Sequence, residues 1–223
     1  MSTSTHRIDI VSDVVCPWCI IGYKRLEQAM LKYADRLLFE LHWHPFELNP
    51  RMPPEGENLR EHLAGKYGTT TEESVAAREK LTALGKSLGF EFRYRDDMRT
   101  YNTFKAHQLL HWAAASGRQT ALKLALFDAF FTRREDVGSN VVLIAAAGCA
   151  GLDPEEARAV LADGRYADLV RATSQRLMQQ GIQGVPAFIV DNTWLVSGAQ
   201  ESTVFESLFE QLAPGEATVA DAT

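Results

Sequence analysis

The chain has 223 residues, 46% of them hydrophobic and 23% charged, which is the profile of a globular protein with enough apolar side chains for a sizeable core. Its 23 Lys and Arg stand against 29 Asp and Glu, a net charge of −6, and no continuous basic stripe offers itself to a nucleic-acid backbone. No apolar run approaches the ~18 residues that span a bilayer, the first residues lack the apolar core of a secretory signal, and three cysteines are too few for a disulfide-stapled scaffold; the expectation is a cytoplasmic protein with no membrane partner, whose cysteine chemistry is catalytic rather than structural.

In chain order, residues 8–15 are short, β-branched and apolar and run into Cys16-Pro17, which reads as a buried strand handing over to a helix. Cys19, Tyr23, Leu26, Met30 and Tyr33 then recur at steps of four and three, one stripe of an amphipathic helix ending near Asp35. A second strand at 37–46 completes a βαβ unit, which requires parallel pairing. The Pro- and Gly-rich segment 49–56 ends that pattern. From there to Gly181 the chain reads as almost entirely helical, with helix-start capping boxes at Thr70/Glu73 and Asp153/Glu156. Residues 122–131 are apolar nearly all round and should form a central helix, with 102–116 and 139–150 as neighbours. Strands return at 186–190 and 194–196, joined by a turn at Asp191-Asn192 that suggests an antiparallel hairpin, and a last helix covers 201–212. The small and acidic residues from Ala213 to the end should be disordered. Residues 1–50 and 181–223 therefore make one domain, and 51–180 a helical insertion.

The chemistry concentrates in Cys16-Pro17-Trp18-Cys19, because the pair sits where a strand becomes a helix. A helix N-terminus carries unpaired N–H groups and the positive end of the dipole, both favouring a thiolate. Cys16 is therefore expected to be acidified below its free value, and Pro17 costs no hydrogen bond in the first turn. Cys19 lies on the apolar stripe while Cys16 lies at its free end, so one sulfur should be presented and one sheltered, as for a nucleophile and a resolving thiol. Pro186 stands at the entry of an apolar strand, where it sacrifices no ladder bond.

These residues resemble the DsbA family of thioredoxin-fold oxidoreductases, and most closely its FrnE-like cytoplasmic branch of dithiol–disulfide isomerases. The likeness runs over nearly the whole chain, through Val11-Ser12-Asp13-Val14-Val15-Cys16-Pro17-Trp18-Cys19, Tyr101-Asn102-Thr103-Phe104-Lys105-Ala106-His107, Gly184-Val185-Pro186-Ala187-Phe188 and Ser197-Gly198-Ala199-Gln200. It implies an α/β, thioredoxin-like fold with an inserted all-helical domain, and thiol–disulfide exchange at Cys16 and Cys19 against a cis Pro186. It also implies an extended substrate held by the Val185 backbone together with Pro17, Trp18, Asn102 and His107. Client protein or peptide disulfides are the expected partners, with glutathione as a further thiol, for a monomer or homodimer that needs no cofactor and no metal. The chain departs from the periplasmic members by carrying Trp18 where they have His between the cysteines and Ile10 where they have a buried acid. A less acidic Cys16 and a less oxidising protein follow. A second dithiol in a C-terminal extension, present in some relatives of that branch, is not expected.

Other readings are blander. His107 and His111 are four apart, but Gln108 stands where a metalloprotease helix needs Glu, and packing or lining the groove over the dithiol is the better role. Cys149, among small apolar residues, should be a buried hydrophobe. Asp13 reads equally as a proton acceptor for Cys19 or as a strand-end acid bonded to backbone. His42 and His44 should pack across strands or face solvent, and Arg93, Arg95, Arg99, Arg133 and Arg134 should form a mixed-charge surface. Two alternatives to a disulfide oxidoreductase remain: a glutathione-dependent isomerase or transferase of the 2-hydroxychromene-2-carboxylate isomerase type, and a non-catalytic module gripping extended peptides.

Overall fold

The computed structural model describes residues 4–213; the tail expected to be disordered falls, from residue 214 on, outside the described residues. A four-stranded mixed sheet is ordered β2-β1-β5-β6. Its centre is β1 (Ser4–Ser12), paired in parallel with β2 (Leu37–Pro45) and antiparallel with β5 (Ala187–Val190), which forms a hairpin with β6 (Trp194–Ser197). Ile10 faces Trp43 on one side and Phe188 on the other. Being central and covered on both faces, β1 is buried from Ile8 onward, which is why it reads as an unbroken apolar run.

The crossover between β1 and β2 is helix α1 (Pro17–Lys32). Its apolar stripe packs against α9 (Ser202–Leu212), where Phe209 meets Tyr33 and Phe39 at centroid distances of 5.9 and 4.5 Å. Asp191 and Asn192 take the left-handed conformation the hairpin turn requires, a conformation these two residue types tolerate.

Between β2 and β5 lie seven helices: α2 (Leu59–Tyr67), α3 (Thr71–Ser87), α4 (Phe104–Ala114), α5 (Gln119–Phe127), α6 (Asn140–Cys149), α7 (Pro154–Asp163) and α8 (Ala167–Gln179). The expected box at Thr70/Glu73 caps α3 reciprocally, whereas Asp153 caps α7 one-sidedly by accepting from the Glu155 N–H. Helix α5 packs between α4 and α6 as expected, but the predicted single helix over 122–131 is divided: α5 stops at Phe127 and a π-helical turn, Asp128–Thr132, follows. The expectation of nearly continuous helix also fails over 88–103. Gly89, with φ 74°, ends α3, and Phe90, Phe92 and Tyr94 follow in a segment that is neither helix nor strand, where all three rings pack around Phe131. A two-residue ladder, β3 (Glu57–Asn58) with β4 (Arg99–Thr100), closes that segment. One apolar cluster runs from the sheet into these helices, holding Ile8, Trp43, Phe127 and Phe209 together.

Two surface expectations are answered directly. Arg93 pairs with Glu91 at 2.8 Å and Arg133 with Glu135 at 2.9 Å, the mixed-charge surface read from sequence. Cys149 is exposed, against expectation. Helix α6 buries Leu143, Ala146 and Ala147, and a residue six positions after Leu143 is turned about 120° away from it, off that buried face.

Candidate active site

Cys16 is the N-cap of α1, with φ −92° and ψ 113°, and Pro17 is the first helical residue. The handover read from sequence is therefore real, and Cys19 comes to lie one turn inside, on the buried stripe. Opposite, the Val185–Pro186 peptide is cis, and the Cys16 Sγ–H points at the Val185 carbonyl oxygen 3.8 Å away. The Pro186 ring is backed by Gly22 of α1, where a Cβ would stand only 3.1 Å from it; the close approach needs glycine.

The cleft over the dithiol, about 400 Å³, is mostly apolar: Val15, Cys16, Pro17, Trp18 and Val185 meet Leu63, Leu81 and Phe130 across it, and Lys66 and Arg78 stand on its wall. Trp18 is 41% exposed at the rim. Cys16 is not the freely presented thiol expected from its place at the helix tip. It is 4% exposed and Cys19 0%, because residues of α2 and α3 and the loop residue Tyr94 close around the helix start.

Burial changes the ionisation as well. The two thiols act as a hydrogen-bonded pair. Cys16 is pushed well up, first by its hydrogen bond with Cys19 and then by burial. Burial would also raise Cys19, but the bond from Cys16, the charge of Lys123 and the Ser12 hydroxyl outweigh it and bring that thiol below its ordinary value. The acidified thiol is thus Cys19 rather than Cys16, and the causes are its bond from Cys16 and the Lys123 charge rather than the helix tip.

Lys123 was not singled out by sequence reasoning. It is 1% exposed, its Nζ donates to the Ser12 carbonyl at 3.4 Å, and it lies 5.3 Å and 5.0 Å from the ring centroids of Trp43 and Phe127. Burial brings its pKa to about 8, against the charges of Cys19, Asp13 and Cys16, which favour the ammonium. The available signal was a single charge inside an all-round apolar helix, a place where lysine is rarely found without a task.

Asp13 is completely buried. Its Oδ2 accepts from the Leu48 N–H at 2.8 Å and its Oδ1 faces the His107 Nε2 at 3.3 Å. Burial would raise its pKa, but His107, the Leu48 N–H and Lys123 together hold it below the usual range. Glu47, next to this loop, is pushed up to about 7 by burial and the Asp13 charge, with Arg171 opposing.

Two residues expected at the groove are placed elsewhere. His107 is 2% exposed and does not line the cleft; its Nε2 is turned to Asp13 and to the Phe46 carbonyl oxygen 3.1 Å away. Helix α4 presents its apolar side to β2, and His107 is carried inward with it. Asn102 forms the turn before α4, its Oδ1 accepting from the Phe104 N–H at 2.9 Å. His42 and His44 answer the expectation for β2: His44 reaches Asp9 across the strands at 2.5 Å, and His42 is half-buried. Among the described residues, no three His, Cys, Asp or Glu are placed to hold a metal ion.

Comparison with known proteins sets this geometry in context. The DSBA-like thioredoxin domain matches residues 7–210. A probable DsbA oxidoreductase from Streptomyces coelicolor superposes with a TM-score of 0.87 at 36% identity, over 97% of this chain and 94% of that one. The cytosolic disulfide reductase DsbM from Pseudomonas aeruginosa, solved with GSH, shares the fold with a TM-score of 0.62 at 17% identity, over 92% and 98% of the two chains. An uncharacterized protein of Bacillus subtilis, YwbO, is 27% identical over 203 residues, 91% of this chain and 94% of its own.

Proposed function

We propose that this chain, which belongs to the DSBA-like thioredoxin domain family, is a thiol–disulfide oxidoreductase or isomerase acting through Cys16 and Cys19. The observation that carries the reading is the approach of the Cys16 sulfur to the Val185 carbonyl oxygen, at the floor of a cleft that an extended segment could enter. In this reading Cys16, as thiolate, attacks a client disulfide, one client sulfur leaves with the electron pair, and a mixed disulfide forms. The Cys19 thiolate then attacks the Cys16 sulfur and the second client sulfur leaves. The client gains two electrons and the protein keeps the Cys16–Cys19 disulfide; isomerisation is the same pair of steps with no net electron transfer. The lowered Cys19 suits the resolving step, since only the thiolate attacks. Cys16 becomes the attacking thiolate when the shared proton passes to Cys19.

Val185 and Pro186, with Pro17 and Trp18, would hold the client, and residues 51–180 would act as the insertion that roofs the cleft. Client protein or peptide disulfides are the substrate class, with glutathione as a further thiol. A cytosol poised at roughly −220 to −320 mV would keep the dithiol reduced and favour reductase or isomerase work. A sheltered second cysteine touching the first speaks against a glutathione transferase, which has no use for a resolving thiol.

The test is the reduction of insulin disulfides with a thiol as electron source. The parent should accelerate it and Cys16→Ser should abolish the acceleration. Equal activity of the two would refute the assignment, and an inactive parent that still binds reduced, extended peptide would favour the binding-module alternative.

A further inference from the structure

Four side chains able to carry charge at neutral pH stand in the lining of the dithiol cleft, His62, Lys66, Glu73 and Arg78, and three of them find their counterpart elsewhere in the protein. His62 Nδ1 faces Glu57 at 2.6 Å, Arg78 pairs with Asp96 at 3.3 Å, and Glu73 accepts from the Thr70 N–H at 2.8 Å. Lys66 has no carboxylate partner among the described residues. Its Nζ donates to the Leu48 carbonyl and to Asn49 Oδ1, both at 2.8 Å, two neutral acceptors that hold the ammonium without neutralising it and leave its third hydrogen free. Lys24 and Lys32, by contrast, each reach a glutamate. One residue ties this ammonium to the dithiol: Leu48 gives its N–H to Asp13, three positions before Cys16, and its carbonyl to Lys66. Asn49 is held in turn by His62, whose Nε2 lies 3.0 Å from the same Oδ1.

We propose that the cleft takes, beyond protein and peptide clients, a compact disulfide of low molecular weight with an apolar body and an acid group, the acid held by Lys66 while the disulfide meets Cys16. The inference rests on the redox reading above. A cavity of roughly 150 Å³ holds a benzene ring, and this cleft has about 400 Å³, room for a substituted aromatic group. Its mostly apolar wall rewards burial of such a body, and the one cation left without a counter-charge supplies a charge-assisted bond to a carboxylate. The 4% exposure of Cys16 favours a reactant that enters whole over a disulfide fixed on a folded surface. Glutathione disulfide fits less well, since its several carboxylates and ammonium groups would enter a lining with few groups to meet them. In the reaction the Cys16 thiolate attacks one sulfur of the compact disulfide, the S–S bond breaks, and one thiolate leaves with the electron pair. Cys19 then attacks Cys16 and displaces the second thiolate. The substrate gains two electrons, the dithiol loses two, and its two protons pass to the departing thiolates or to water.

The experiment mixes the reduced protein, in a Cys149→Ser background, with an excess of dithiobis(nitrobenzoate), an aryl disulfide with acid groups, or of dithiodipyridine, an aryl disulfide without them. The coloured product is followed, and each rate is divided by that of free glutathione with the same reagent. The parent should prefer the acid reagent and saturate with it. Lys66→Gln should lower that preference on the order of 10-fold, the scale of a lost hydrogen bond to a charged group, and Lys66→Arg, which keeps the charge, should retain most of it. Lys105→Gln makes the same change of net charge at a lysine bonded to Asn140, outside the cleft, and should leave the preference unchanged. Naphthoate, with rings and an acid but no sulfur, should compete with the acid reagent in the parent and much less in Lys66→Gln. A preference that survives Lys66→Gln, or one lost equally in Lys105→Gln, would overturn the inference and leave the redox reading standing. A parent that releases no product from either reagent would overturn the redox reading itself, and the inference with it.

Discussion

The sulfur of Cys16 lies 3.8 Å from the carbonyl oxygen of Val185, two residues 169 positions apart in the chain that meet because β1 and β5 are neighbours in the sheet. The N-cap of α1 and the loop before β5 thereby become the two walls of one cleft. A client strand entering it would find both the nucleophile and a backbone acceptor for strand addition.

Cys19→Ala should leave Cys16 able to attack and unable to be released. Mixed disulfides with client or glutathione should then accumulate, and turnover should fall on the order of 100-fold, as for loss of a group that acts in the covalent step. Mass spectrometry of the unreduced variant reads the adduct; its absence, with parent-like turnover, would contradict the assigned order of attack.

Lys123→Met should make the protein more stable and a poorer redox catalyst. The folded pKa of about 8 lies below the ordinary 10.5, so between these values the unfolded chain binds more protons and stability rises with pH; below pH 8 the full cost of the buried charge is present. Removing it should stabilise the protein at neutral pH by roughly 2–4 kcal/mol and flatten that alkaline rise. The Cys19 thiolate should lose its cation and titrate higher. Denaturant melts across pH, paired with alkylation rates, check both halves.

Asp9 is nearly buried between Arg7 and His44. Burial would raise its pKa, but the bonds from Arg7 and His44 hold it far below the usual carboxylate range. A group depressed in the folded state contributes stability above its unfolded pKa and loses it as pH falls through the folded one. Asp9→Asn should therefore lower Tm at neutral pH and remove part of the parent's loss of stability in acid. Thermal melts over the acid range measure this.

Gly85→Ala should destabilise by about 1–3 kcal/mol, the usual cost of overpacking. A Cβ there would stand 2.4 Å from the Phe92 ring, and that ring is fixed between Phe90, Tyr94 and Phe131. Urea midpoints of the two proteins test it.

The handover at Cys16 was legible because burial of α1 writes a four-three stripe that starts at Cys19, and strand β1, covered on both faces, shows no alternation. The parallel pairing of β1 with β2 and the β5–β6 hairpin followed from the same segments, whereas the pairing of β1 with β5 did not. The covering of Cys16 was not legible, since residue spacing within α1 says nothing of what packs over its tip. Lys123 escaped because a lysine in a helix ordinarily marks its wet face. His107 was read as packing or lining the groove, and it packs, buried against Asp13 and Phe46 rather than in the cleft lining; a periodic pattern fixes a residue's face and not the neighbour that face meets. Phe90, Phe92 and Tyr94 alternate as a strand should, yet the helices on either side dominated that stretch.

Equilibrating the protein in glutathione buffers of graded oxidation, then trapping free thiols and weighing the chain, tests the central claim most directly. The account predicts that Cys16 and Cys19 disappear together in one reversible transition with the loss of two hydrogens, while Cys149 stays separately modifiable. Both thiols remaining free at every ratio, or each reacting independently of the other, would contradict it.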